Sequence, residues 1–431
     1  MLLRTMTATT WSEADVRALL AREDFSYQNI KLPYGLSTGG RDRYDSAEKM
    51  LPADLTGKTV LDVGCKYGFF CFEALKRGAR RVVGIDLDED SLRKARLLAD
   101  CLGADVTFKH GNVETDELGE TFDYVLCLNL LHHLHNPISA LDKLIAHTRE
   151  RLVLEVATFG AHDAKKFGRL GKLSWLVRPL PLLPALYRNT PVIFLGAGGK
   201  KPMVQQFFLS PSAVSSLLLD QRGNFARVDI KEAQHKGRFI AVADKWQIDR
   251  MVMVAGPTSV GKSTFIEQLS RAEWLDVAAA LEIGQLKDWT VSSPLELHSL
   301  HEPVVDRMIY HYDFLRPFLR GPNDHHRDHA LDLLESVANL VTVTLWQAPE
   351  RLAAQHQSAT IDRKTKGGRY RGNKRQLKLA EIYREPAQVR ALYENWFNYI
   401  SGFPGQHYVL EIGATPKLHK LADWHGGKSA A

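Results

Sequence analysis

Thr59-Val60-Leu61-Asp62-Val63-Gly64-Cys65-Lys66-Tyr67-Gly68-Phe69-Phe70 is an apolar run that ends in a glycine turn and re-enters an apolar stretch. A strand, a tight turn and a helix in succession open a parallel α/β sheet. Working outward, the helix through FCFEALKRG closes at Gly78, a residue type favoured at helix C-termini. RRVVGIDLD then predicts a strand, SLRKARLLADCLG a helix and VTFKH a strand; FDYVLCLN, ISALDKLIAHT and RLVLEV continue as strand, helix and strand. The alternation predicts a doubly wound sheet, and it breaks beyond Glu155.

A second unit of the same kind begins at MVMVAGPTSVGKST, Met251 to Thr264. A chain of 431 residues exceeds one ordinary core. The expected fold class is therefore α/β with two doubly wound domains, 1–247 and 248–431, divided in the polar stretch Lys245–Arg250 after the strand-like RFIAVAD. The two glycine turns differ in spacing, so no internal repeat is implied. The insertion 159–199 contains LSWLVRPLPLLPALYR, where Pro179, Pro181 and Pro184 forbid a long regular helix. It reads as a lid or packing arm. A membrane-surface contact, with Arg178 and Arg188 toward anionic headgroups, is the alternative.

Composition narrows the classes. The chain is 45% hydrophobic and 25% charged, as in a globular protein. It has no apolar run of transmembrane length, and its N-terminus lacks a secretory pattern. Cys65, Cys71, Cys101 and Cys127 show no metal-ligand spacing and read as reduced, mostly buried thiols, so a cytoplasmic location is expected. Disulfide scaffold, channel and fibre are excluded. There are 56 Lys+Arg against 50 Asp+Glu, a net of +6. Eight of the basic residues fall between Arg363 and Lys378 with no acid among them. Local rather than general basicity points to a phosphate-bearing ligand more than to a broad nucleic-acid surface, and no DNA partner is expected.

Asp62, Gly64, Cys65 and Gly68 form D-x-G-x-x-x-G directly after a strand. Glycines let the loop pass close to a ligand and take φ values closed to other residues. The spacing differs from the G-x-G-x-x-G that approaches a pyrophosphate, so a ligand without phosphates fits better. Asp86, at the tip of the second strand, is placed to accept both ribose hydroxyls, and Asn112 to address an adenine edge. LNLLHHLHNP sets Asn129, His132, His133 and His135 after the fourth strand. His133, then His132, are candidate bases for an acceptor hydroxyl, with Glu155 a third; packing or capping is the alternative for each imidazole.

These features resemble the class I methyltransferases that use S-adenosylmethionine, over Leu32 to Asp244. The resemblance implies a Rossmann-like fold, the sulfonium cofactor on Gly64 and Gly68 with Asn129 beside it, ribose on Asp86 and adenine near Asn112. LPYGLSTGGRDRYD, VLDVGCKYGFFCFEALKRGA, RNTPVIFLG and QQFFLSPSAVSSLLL further resemble a transfer-RNA wobble-uridine methyltransferase-like branch, which makes RNA an alternative acceptor.

Gly256-Pro257-Thr258-Ser259-Val260-Gly261-Lys262-Ser263 matches G-x-x-x-x-G-K-[ST] in full. Its backbone N–H groups, with Ser259 and Thr264 in the loop and first turn, would wrap phosphates; Lys262 would reach β- and γ-oxygens, and Ser263 would ligate Mg²⁺. The remainder resembles a P-loop NTPase of the small-kinase kind. That likeness implies ATP, an acid at Asp313 that orients Mg²⁺ or takes the acceptor's proton, Arg316 nearby, and a lid carrying Arg363, Arg369 or Arg371. His298, His301, His311, His325, His326 and His329 read as surface or substrate-contact residues. VRALYENWFNYI has helical apolar spacing and reads as a core-facing helix.

The whole reads as a bifunctional enzyme in which tethering raises the concentration of a shared intermediate. S-adenosylmethionine, ATP and Mg²⁺ are the expected cofactors, and a glycan or small hydroxylated metabolite the favoured acceptor. The alternatives are a transfer-RNA modifying enzyme with an auxiliary NTPase, and a methyltransferase with a nucleotide-gated regulatory unit.

Overall fold

The computed structural model describes residues 10–158, 187–196, 206–221, 225–315, 331–354 and 382–425, apart from 272, 295, 298, 299, 301, 332, 384 and 414. The chain divides into two compact units, Met1–Lys245 and Trp246–Ala431.

In the first unit the strands are β1 Thr59–Val63, β2 Arg81–Asp86, β3 Val106–His110, β4 Phe122–Leu128, β5 Thr148–Ala157, β6 Ile193–Gly196, β7 Gln206–Leu209, β8 Phe225–Glu232 and β9 Arg238–Lys245. Seven of them form one sheet in the order β3-β2-β1-β4-β5-β9-β8; β6 and β7 pair apart. The first five run parallel. The sequence shows RFIAVAD only as a strand; in the fold it inserts as β9, antiparallel to both β5 and β8.

Every residue of β1 is buried, because apolar clusters cover both faces of the sheet. Phe69, Phe72, Leu92 and Leu98 lie in one, and Leu131, Leu141, Leu144 and Leu154 in the other. Each such side chain contributes about 1.5–3 kcal/mol by leaving water. Helix ends carry the local signals that set them. Gly103, left-handed, stops Glu89–Leu102, and the Asn136 side chain accepts Ser139 N–H before Pro137 opens Pro137–Ala146. The chain leaves β1 toward β2 on one side and reaches β4 on the other, so the carboxyl end of β1 is a topological switch point, where open α/β sheets bind ligands.

The second unit has β10 Gln247–Gly256, β11 Thr290–Ser292, β12 Val304–Asp313, β13 Val337–Trp346, β14 Gln406–Glu411 and β15 Lys417–Lys420, in the order β11-β12-β10-β13-β14-β15. All pairs are parallel except β14–β15. β10 is again central, with its sequence successors on both sides. The helix Pro386–Ile400 buries Val389, Leu392, Tyr393, Trp396 and Ile400. Its Tyr393 O–H donates to Leu345 O (3.0 Å) and its Trp396 Nε1–H to Thr344 Oγ1 (2.9 Å), which satisfies both polar groups inside an aromatic core.

Among the described residues no helix is long and apolar enough to cross a membrane. Arg316, Arg363, Arg369 and Arg371 lie outside the described residues, as do 159–186 and 197–199 of the insertion and His298, His301, His325, His326 and His329.

Candidate functional site

At the carboxyl end of β1 the loop turns through two left-handed glycines, Gly64 (φ 79°) and Gly68 (φ 83°). A Cβ on Gly68 would sit 2.8 Å from Phe108 Cζ and 3.3 Å from Phe72 Cζ. Gly64 N–H donates to Ile85 O at 2.7 Å, which ties the loop to β2. Lys66 N–H then donates to Asp86 Oδ2 and Asp88 N–H to Asp86 Oδ1, each at 2.9 Å. Both carboxylate oxygens are thus oriented by backbone donors, and each keeps a lone pair for a ligand hydroxyl.

Asp62 is buried inside the turn, where its main polar partner is Cys71, whose Sγ–H donates to Oδ2 at 3.6 Å. Desolvation drives its pKa up to about 7, with the nearby charge of Asp86 adding to the rise. A cationic group lodged there would reverse that shift. Cys65, Cys71, Cys101 and Cys127 are all free and buried, and the first of them backs the loop. Asn112 heads the segment after β3. Its side-chain Oδ1 accepts Glu114 N–H (2.9 Å), so that oxygen closes the turn.

After β4, Asn129 takes φ 60°, uncommon for a non-glycine residue. Its Nδ2–H donates to Glu155 Oε2 at 2.7 Å. Glu155, at the end of β5, is fully buried and also paired with Arg43. The expectation that Glu155 serves as a base is therefore revised: the carboxylate holds Arg43 and Asn129 in place. Among the described residues, Asn129 Oδ1 and Glu155 Oε1 are buried without a hydrogen-bond partner, as expected of a site that a ligand completes. Next in the chain, Leu130 Cδ2 would lie 3.4 Å from a Cβ on Gly64, so this segment abuts the glycine loop.

The histidines separate. His132 is buried, whereas His133 and His135 are exposed. The His132 and His133 rings are 4.0 Å apart. Packing around His133 and the charge of Arg238 hold its pKa below the usual imidazole value, so the ring is neutral at pH 7 and fit to accept a proton. His135 Nδ1 lies 3.4 Å from Glu114 Oε2, on the outer side of the turn.

Sequence reasoning missed several residues here. Tyr67 N–H donates to Gln28 Oε1 (3.1 Å), Lys66 Nζ lies 6.0 Å from the Tyr27 ring centroid, and Arg41 pairs with His235. The segment bearing Tyr27, Gln28, Arg41 and Arg43 thus lies over the glycine loop. The one local signal was the charged run GGRDRYD, with Arg41 and Arg43 alternating with Asp42 and Asp45.

In the second unit, Gly256 ends β10 and a Cβ on it would fall 2.7 Å from Val260 Cγ1 and 3.3 Å from Leu345 O. Ser259 (φ 70°) and Gly261 (φ 100°) are left-handed, and Gly261 caps the helix Lys262–Ser270, which carries Ser263 and Thr264 in its first turn. Lys262 is buried and its Nζ donates to Gly256 O and Pro257 O, each at 2.8 Å. Burial pushes its pKa down to about 8, which Asp313 partly offsets. Asp313 ends β12 beside Gly256. It accepts Thr258 Oγ1–H at 2.5 Å and Leu315 N–H at 3.1 Å, so the predicted acid and the glycine loop do meet.

The family model described as "Methyltransferase domain" matches residues 60–151. A ubiquinone biosynthesis O-methyltransferase of Erwinia tasmaniensis is 30% identical over 182 residues, 36% of this chain and 71% of that protein. A homologous enzyme of Pseudomonas entomophila is 33% identical over 144 residues, 28% of this chain and 62% of that one. A tRNA U34 carboxymethyltransferase of Campylobacter hominis is 35% identical over 92 residues, 21% and 32% of the two chains. The chain thus spans from a third to just under two thirds of the length of the first relatives it matches. Among solved structures, the N-terminal domain of EvdMO1, determined with SAH and D-fucose, is 17% identical, covering 53% of this chain and 94% of that one with a TM-score of 0.39. By this match to relatives, through its first unit, the chain belongs to the class I S-adenosylmethionine-dependent methyltransferases.

Proposed function

We propose that the first unit transfers a methyl group from S-adenosylmethionine to a hydroxyl of a small hydroxylated acceptor, and that the second binds Mg-ATP and phosphorylates a hydroxyl. The observation that carries the first half is Asp86, its two oxygens oriented by Lys66 and Asp88 N–H groups beside a loop that turns through two left-handed glycines. S-adenosylmethionine, when bound, supplies a methyl already made electrophilic by the sulfonium. The chain's own work is alignment. Asp86 holds the ribose, Asp62 faces the amino group, and Asn129 and Leu130 border the methyl side. His133, neutral at pH 7, takes the hydroxyl proton. Ubiquinone-type O-methyltransferases among the relatives favour an oxygen nucleophile and a small acceptor.

The second half rests on a full phosphate-loop sequence at a switch point, with Lys262, Ser263 and Asp313 around it. Lys262, now bonded to carbonyls of its own loop, would turn to the phosphates, and Ser263 and Asp313 would hold Mg²⁺, which neutralises charge on the transferring group. A transfer-RNA acceptor is the second reading, supported by the relative from Campylobacter hominis.

Calorimetry with S-adenosylhomocysteine and Mg-ATP on the full chain tests both halves, with cell extract and labelled S-adenosylmethionine reporting the acceptor. Asp86→Ala is expected to weaken S-adenosylhomocysteine roughly 10- to 100-fold, the worth of hydrogen bonds to a charged group. Unchanged affinity would remove the ribose assignment, and label recovered in RNA would replace the small acceptor.

A further inference from the structure

Three guanidinium groups gather at the carboxyl ends of β4 and β5 with one carboxylate to match them. Arg43 is taken by Glu155. Arg41 is exposed, and its Nη1–H donates to His235 Nε2 at 3.2 Å, which requires that nitrogen to be unprotonated. Arg238 begins β9, where its backbone is in register with Ala157 two residues past Glu155. Its side chain is half-buried, and no carboxylate bonds it among the described residues. The charges of Arg41, Arg43 and Glu155 all reach Arg238, as does Tyr27, and the field of Arg238 in turn reaches His133 and His235. Asp42, the nearest acid in sequence to these arginines, is turned away to accept Tyr44 N–H at 2.8 Å.

A partly desolvated guanidinium without a counter-charge is destabilising, and the cluster holds two excess positive charges next to the candidate base. Guanidinium forks match carboxylate and phosphate geometry. We propose that Arg41 and Arg238, with the imidazoles of His133 and His235, form an oxyanion subsite that seats a carboxylate or phosphate borne by the methyl acceptor. This rests on the methyltransferase reading of the same site and specifies its substrate class: a hydroxylated molecule that also carries an anionic group, anchored so that the hydroxyl meets His133. The same chemistry could be claimed by the carboxylate on the cofactor's own amino-acid tail, and the test separates the two sources.

Inorganic phosphate is titrated into the full chain carrying ¹³C-labelled histidine rings, assigned by single His→Gln substitutions. The titration is run without nucleoside, with saturating 5′-methylthioadenosine, which lacks the amino-acid tail, and with saturating S-adenosylhomocysteine, which has it. The His133 and His235 signals are expected to shift saturably in all three conditions. Arg238→Gln and Arg41→Gln are each expected to weaken that response, Arg238→Gln at the half-buried position by at least about fivefold, in keeping with the loss of one charge-assisted contact, and Arg41→Gln at the exposed position by less. His311, which senses the charge of Lys262, reports phosphate at the second unit and a folded chain in every variant; its response should not move with Arg238. Silent His133 and His235 signals overturn the subsite. So does phosphate excluded by S-adenosylhomocysteine yet admitted with 5′-methylthioadenosine, which would give the guanidiniums to the cofactor. Failure of the methyltransferase reading is seen separately, as no heat with S-adenosylhomocysteine, while the nucleoside-free arm still reads the anion.

Discussion

Desolvation moves Asp62 and His133 away from their ordinary titration in opposite directions, one carboxyl up and one imidazole down, and each shift has a measurable consequence. Burial raises Asp62 to about 7, so its folded-state pKa lies above the unfolded one. The stabilisation from the protonated acid is fully present below about pH 4 and is lost as pH rises through 7. Asp62→Asn should therefore match the wild type in urea unfolding at pH 4 and exceed it at pH 8, by about 4 kcal/mol at most. A cofactor ammonium lodged against Asp62 would ionise it. Calorimetry at pH 6.5 in buffers of different ionisation enthalpy should then show proton release on S-adenosylhomocysteine binding, abolished in Asp62→Asn; an unchanged proton count would remove the ammonium from this carboxylate. His133 is shifted downward instead, so the acid limb of kcat/KM should lie below pH 6.5. His133→Gln should lower kcat about 10²- to 10⁴-fold, the usual contribution of a positioned base, and flatten that limb. A retained limb would transfer the role elsewhere.

Within single elements, local sequence determines what local structure can express, and the glycine loop shows how far that goes. The motif around Asp62, Gly64 and Gly68 was legible because strand, turn and helix are contiguous. So was the position of Asp86, one strand later, and so was that of Asp313 at the end of β12, where it meets the second glycine loop. The fate of Glu155 was not legible: it depends on Arg43, 112 residues away, and no periodicity encodes that encounter. The Arg41–His235 contact joins residues 194 apart. The antiparallel insertion of β9 escaped for the same reason, since a strand's own alternation carries no information about its neighbours. Gly57 and Gly68 test the loop's geometry against each other. Both are left-handed, but nothing lies within 4 Å of a Cβ on Gly57, whereas Phe108 and Phe72 crowd Gly68. Gly57→Ala should cost about 1–2 kcal/mol, the left-handed strain alone. Gly68→Ala should add about 1–3 kcal/mol of overpacking and weaken S-adenosylhomocysteine as well. Equal losses in urea unfolding would mean that the rings yield and the contact is not a constraint.

At the scale of the molecule, each unit has a central strand at a switch point, and each carries its own buried core. Leu61, Val125 and Leu154 belong to the first, and Val254, Tyr312 and Trp396 to the second. Two compact units with their own buried cores are expected to unfold in separate cooperative transitions. A ligand bound only by the native state raises the stability of the unit that binds it, by about 2.7 kcal/mol at a hundredfold excess over Kd. For a unit near 200 residues that is about 5–10 °C in Tm. Differential scanning calorimetry should resolve two transitions, of which S-adenosylhomocysteine raises one and Mg-ATP the other. Lys262→Ala should abolish the Mg-ATP shift and leave the S-adenosylhomocysteine shift intact, and Asp86→Ala should do the converse. Should either ligand move both transitions in step, the units melt as one body and the assignment of one ligand to each core fails. If Mg-ATP moves neither while Lys262→Ala leaves the scan unchanged, the glycine loop of the second unit is a turn that packs Lys262 against its own carbonyls and nothing more.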